Sequence, residues 1–110
     1  MKKSILQFDL ELDENNVPSR IIMKSSDGQS NDIDLKSVMI SAWDSSKMET
    51  LKVDLWTKNM MVNEMYIMYH QTLLAMASTL EKSTGNEKLS ADLRDYCKFF
   101  ADETKILHSK

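Results

Sequence analysis

The sequence is short of the residues that staple, bend or loosen a chain: one cysteine, one proline and two glycines in 110 residues. Cys97 alone cannot form an intrachain disulfide, and it leaves the redox compartment open. Gly28 and Gly85 are too few to build a phosphate-cradling loop, and no Gly-x-Ser-x-Gly elbow is present. Of the two histidines, His70 has no carboxylate or second histidine at i+3 or i+4, and His108 falls where a last helical turn is expected to fray. No metal site and no cofactor is therefore expected. Positive charge is also not in excess. With 14 basic and 17 acidic residues the net charge is −3, so there is no basic stripe for nucleic acid and no polybasic patch for anionic lipid. Nor does any apolar run approach the roughly 20 residues that span a bilayer. The opening "MKKSILQFDLELDE" has the lysines of a signal peptide, but Gln7, Asp9 and Glu11 interrupt its apolar residues. The cytoplasm is the expected location, with no direct membrane insertion.

What the chain does contain is pattern. Its length suits one domain over residues 1–110, able to bury roughly 65% of its unfolded surface. Leu6, Phe8, Leu10 and Leu12 alternate with polar residues, as in a half-buried strand. "ENNVP" marks a turn, Arg20 to Lys24 reads as a second strand, and "SSDGQSND" as a polar connection in which Gly28 is free to take positive φ. "SVMISAWD" and "ETLKVDLW" form a hairpin. Facing Val38, Ile40 and Ala42 toward Leu51, Val53 and Leu55 requires an even-length loop. A two-residue loop would want Asn-Gly chemistry, so the loop is Ser45 to Met48, pairing Ala42 with Leu51 and Ile40 with Val53.

From Val62 the apolar period becomes 3.6, with Met65, Tyr66, Tyr69, Leu73, Met76, Ala77 and Leu80 on one face. Ile67 and Leu74 widen the apolar arc to about 200°, against the roughly 100° a one-sided surface helix needs, so this helix is expected to meet two layers. Gly85 suits the end of that helix and Asn86 the cap of the next. The second helix carries Leu89, Leu93, Tyr96, Cys97, Phe100 and Leu107 on one stripe, with Phe99 and Ile106 on a weaker one. The expectation is an α+β fold in the order ββββαα: a four-stranded antiparallel sheet followed by two C-terminal helices.

Chemistry-bearing candidates are few. His70 lies inside the wide apolar arc, where it is a general base or ligand on one reading and a core-margin histidine on the other. Cys97 falls on an inward stripe and behaves there as a small hydrophobe. More informative is the outer face of the hairpin, where Met39, Trp43 and Trp56 lie with Ser41, Thr50, Lys52 and Asp54. Two tryptophans and a methionine on a nominally solvated face fit a contact surface, the alternative being that loop 25–37 folds over one of them. Of the later methionines, Met65 and Met76 are expected to fill the core. Met60, Met61 and Met68 fit a partner or oligomer contact instead, since methionine serves adaptable surfaces as readily as cores.

The stretches "MISAWDSSKMETLKVDLWTKNM", "VNEMYIMYHQTLLAMASTLEKST" and "NEKLSADLRDYCKFFADE" resemble the GldC family of gliding-motility-associated proteins of the Bacteroidota, from about residue 5 to 103. "WDS", "DLWTK", "YHQTL" and "RDYC" together carry that resemblance. The family typically has a proline where Met61 stands, a departure that bears on the helix start. The resemblance implies an accessory role in gliding motility, linked to type IX secretion, with no catalytic activity and no site residues to transfer. The ββββαα order is also similar to that of the export chaperone SecB, a homo-oligomer that binds unfolded chains. The expected protein is thus non-enzymatic and homo-oligomeric, contacting itself and gliding or type IX secretion components, with a chaperone or adaptor role as the sharper version. A small enzyme or ligand binder with a pocket around His70 is the alternative.

Overall fold

The computed structural model describes residues 1–26 and 32–106. Gly28, Leu107, His108 and most of "SSDGQSND" lie outside the described residues. Five strands precede two helices: β1 (Leu6–Leu12), β2 (Pro18–Ser25), β3 (Ile33–Leu35), β4 (Ser37–Asp44), β5 (Glu49–Trp56), α1 (Val62–Thr84) and α2 (Glu87–Thr104). Residues 1–60 and 61–110 form two compact units. The α+β class and the order of strands before helices are those of the sequence pattern. The single four-stranded sheet is not: the strands divide into β1-β2-β3 and β4-β5. The extra strand arises because Ile33 and Leu35 pair with Met23 and Ile21. At three residues it is too short for a period-two pattern to show.

In the first sheet the register puts Leu6, Phe8 and Leu10 opposite Ser25, Met23 and Ile21, which places the apolar side chains on one face. Ile21, at the centre of that face, is fully buried. The other face is ionic. Arg20 lies between Glu11, at 3.6 Å, and Asp34, at 3.0 Å, while Lys24 meets Asp9 at 3.0 Å. All these side chains are substantially exposed, so they steer pairing more than they add stability. Pro18 begins β2, as expected of a residue with no N–H for a central ladder. Asn16 (φ 62°) supplies the left-handed position of the β1–β2 turn, and the Asp13 carboxylate accepts from Asn15 N at 2.8 Å and Val17 N at 3.0 Å.

The second sheet has the expected register throughout, with Ala42 opposite Leu51 and Ile40 opposite Val53. Its loop is closed by Asp44, whose Oδ1 accepts from the Ser46 amide at 3.1 Å and the Ser46 hydroxyl at 2.9 Å. The Ser46 hydroxyl, followed by the Lys47 amide, holds the Asp44 carboxyl below its ordinary range.

The second unit is a helical hairpin. Glu64 reaches back to accept the Met61 amide at 3.0 Å, stabilising a helix start that lacks a capping side chain. Gly85 (φ 73°) ends α1, its N–H bonding Glu81 O at 2.8 Å, and Asn86 caps α2 by accepting from Leu89 N at 3.0 Å. Small residues occupy the seam. Ala77, Ser90, Cys97 and Ala101 are all buried, and the Ser90 hydroxyl donates to Ala77 O at 2.6 Å. Small side chains let the helices approach closely, and that bond satisfies the buried Ser90 hydroxyl. Burial pushes the Cys97 thiol up.

The stripes read from the sequence are therefore only half right. Leu89, Tyr96, Val62 and Met76 were expected to be inward, yet all four are exposed. The large residues flank the seam because the small ones fill it. Truncating the centre of the first sheet by Ile21→Ala is expected to cost about 2–5 kcal/mol. Chemical denaturation measures this, and a loss under 1 kcal/mol contradicts a core centred on Ile21.

Candidate functional site

Each unit carries part of the expected contact set: Met39, Trp43, Trp56 and Met60 lie in the first, Met61 and Met68 in the second. On the β4–β5 ribbon the register sets Met39 opposite Asp54, Trp43 opposite Thr50 and Trp56 opposite Ser37. Met39 and both tryptophans thus share one face, with the tryptophans at opposite ends. Trp43 is 61% exposed and Trp56 55%, whereas Met39 is half-buried. Lys52 and Asp54 bond each other along their strand at 2.6 Å, between the two indoles.

The other face of the same ribbon is exposed as well. Leu51 and Val53, assigned inward, are exposed at 54% and 45%. In the first sheet Leu6, Leu10, Leu12 and Ile33 are likewise exposed on the apolar face. Alternation reveals which side of a strand is apolar, but it carries no signal of whether the chain covers that side.

Trp56 borders an open cleft of about 240 Å³ with Asn16, Val17, Pro18, Asp54 and Leu55. The cleft is held at its end by residues just beyond β5. Thr57 N–H donates to Lys36 O at 2.8 Å, Lys58 N–H to Pro18 O at 3.3 Å, and the Lys58 ammonium meets Asp13 at 2.7 Å. Lys58, followed by the Val17 amide, brings the Asp13 carboxyl down to about 2. Met60 is half-buried in the turn that follows, its N–H bonded to Thr57 O at 3.1 Å.

In the second unit Met61 is 63% exposed at the start of α1 and Met68 is half-buried. Met76 lines an open groove of about 400 Å³ with Thr72, Ala75, Thr79, Leu80, Ser83 and Leu93, an apolar trough with small polar margins. His70 stands in an aromatic cluster centred on Phe100. Its ring stacks on Phe100 at 6.4 Å and 17°, Tyr69 stacks at 6.4 Å, and Tyr66 meets the same ring edge-on at 6.1 Å. Tyr96 joins from α2 at 6.3 Å. His70 is half-buried there. Among the described residues no group of three or more His, Cys, Asp or Glu is disposed to hold a metal, and no helix is long and apolar enough to cross a membrane.

A family model described as "Gliding motility-associated protein GldC-like" matches residues 18–106. The chain belongs to the GldC-like family. The match takes in β2 through α2, and so the whole ribbon and both helices, while β1 precedes it. No curated protein and no solved structure matches the chain. As a GldC-like protein it is associated with gliding motility, and the family description names no reaction.

The Asp13–Lys58 contact has a definite pH signature. A carboxyl depressed from 3.8 to about 2 contributes stability that is fully present above about pH 4 and lost as pH falls through about 2. Lys58→Met is expected to return the Asp13 carboxyl toward its ordinary value, as followed by NMR titration. An unchanged Asp13 titration contradicts the assignment of Lys58 as the main cause.

Proposed function

We propose that this chain is a non-enzymatic, cytoplasmic accessory protein of gliding motility that works through protein–protein contacts as a homo-oligomer. The observation that carries this reading is the β4–β5 ribbon, which presents Trp43 and Trp56 on one face and Leu51 and Val53 on the other, all substantially exposed. Aromatic residues and methionine are enriched at protein interfaces, and tryptophan dominates their energetic centres. Met39, beside Asp54 on the tryptophan face, and Met60, Met61 and Met68 extend the same adaptable chemistry to the turn after β5 and to α1.

In the sharper form of this proposal the protein is a holdase or adaptor for motility or type IX secretion components. Several separate apolar patches and an open trough beside Met76 suit a surface that accepts extended apolar segments without a fixed sequence. The strands-then-helices order shared with SecB is consistent with it, although order alone carries no activity. His70 belongs to this account as a packing residue, stacked on Phe100.

The purified protein is expected to suppress aggregation of an unfolding test protein and to bind a panel of apolar peptides. Trp43→Ala combined with Trp56→Ala should weaken that binding by about tenfold or more, given roughly 1–2 kcal/mol per truncated interface tryptophan. A wild-type protein that neither binds the panel nor slows aggregation removes the holdase form. The rival reading is checked with His70→Ala. A metabolite that raises the melting temperature of the wild type but not of this variant would establish ligand binding in place of packing.

A further inference from the structure

We propose that two copies of this chain pair through the free edge of β4, antiparallel and centred on Ile40, so that β5-β4-β4-β5 becomes one four-stranded sheet. This rests on the homo-oligomer reading above and specifies its interface. Among the described residues, β4 is bonded in its sheet on one side only, to β5. Thr57 N–H donates to Lys36 O, and these two residues continue the register that sets Ser37 opposite Trp56. Even-numbered β4 residues therefore turn their backbone groups toward β5. Those of Ser37, Met39, Ser41 and Trp43 point away from it.

The outer strands differ in how they are guarded against pairing. β1 carries the acidic pair Asp9 and Glu11 on one face, which would meet each other in a self-paired edge. β3 has three residues. β5 bears Glu49, Lys52 and Asp54, and its end borders the cleft made with Asn16, Val17 and Pro18. In contrast, β4 runs eight residues in unbroken register, without proline, glycine or any charge before Asp44. A long, regular, uncharged edge is the kind that recruits another strand.

The side chains then select a second copy of β4 as the occupant, in one register. Pairing about Ile40 sets Lys36 opposite Asp44 of the second copy, joining unlike charges at both ends of the new ladder. On one face Val38 meets Ala42 and Ile40 meets Ile40, extending the row to Leu55, Val53 and Leu51 of the β5 strands. On the other face Ser37 meets Trp43 of the second copy, and Ser37 is already beside Trp56. Two indoles, at opposite ends of the ribbon in one chain, are thereby brought to either side of a serine small enough for them to meet above it. Shifting the centre by one residue sets Asp44 against Val38, or Lys36 against Ala42, and loses both the charge match and this packing.

Two variants test the pairing. Ile40 lies at the two-fold centre in a site without cross-strand hydrogen bonds, where paired Cα atoms are about 4.5 Å apart, within disulfide range. Ile40→Cys in a Cys97→Ser background is expected to give a covalent dimer on mild oxidation. Lys52→Cys in the same background should not, because that residue is one strand removed from the seam. Ser41→Pro removes only an outward N–H, so it should leave the β4–β5 ladder in place. It should weaken association by at least about tenfold in sedimentation equilibrium, with the circular dichroism spectrum retained. An oligomer that Ile40→Cys does not bridge, or that Ser41→Pro leaves intact, overturns β4 pairing while self-association stands. A wild type that stays monomeric overturns both.

Discussion

The register of β4 on β5 decides where every chemically distinctive side chain of the first unit is presented. A four-residue loop, closed by the Asp44 carboxylate on the Ser46 hydroxyl and amide, fixes the odd-to-even pairing of the two strands. One residue fewer or more in that loop would turn Trp43 and Trp56 to different faces of the ribbon. With the register as it stands, the tryptophans share a face with Met39, and Leu51 and Val53 share the other with Ile40. A two-stranded ribbon is marginal by itself in water. Exposed apolar surface of this kind marks an interaction site.

The second unit solves its packing differently, and the solution again leaves large side chains outside. Close approach of α1 and α2 depends on Ala77, Ser90, Cys97 and Ala101, with the Ser90 hydroxyl bonded to the Ala77 carbonyl. A seam this narrow has no room for Tyr96, Leu89 or Met76, which line its flanks. Phe100 gathers Tyr66, Tyr69, His70 and Tyr96 around one ring, so much of the aromatic content of the helices stabilises their pairing while showing one edge to solvent. The histidine that looked most chemical in the sequence stands in this cluster, its ring near-parallel to that of Phe100.

How much of this could be read from the residues depended on whether the signal was local. Alternation in "SVMISAWD" and "ETLKVDLW", with the parity of the loop, gave every pair of the second sheet. Gly85 and Asn86 marked the break between helices because capping chemistry is confined to a few neighbouring residues. The strand at Ile33–Leu35 was not legible, since three residues cannot establish a period, and with it went the division into two sheets. Burial was the larger failure. Hydrophobic periodicity identifies a face as apolar, yet Val53 and Ile21 look alike in sequence while one is 45% exposed and the other 0%. Met39, Trp43 and Trp56 stood out in the sequence because they broke the alternation; the exposure of Leu51 and Val53 did not, because they obeyed it.

The claim that the exposed ribbon exists to be covered by another copy is tested most directly by the solution mass of the unmodified protein, taken by light scattering across a dilution series. The account expects a dimer or a higher even-numbered assembly that persists into the micromolar range. A mass of 12.7 kDa at every concentration would contradict it, leaving Trp43, Trp56, Leu51 and Val53 without a self-derived cover.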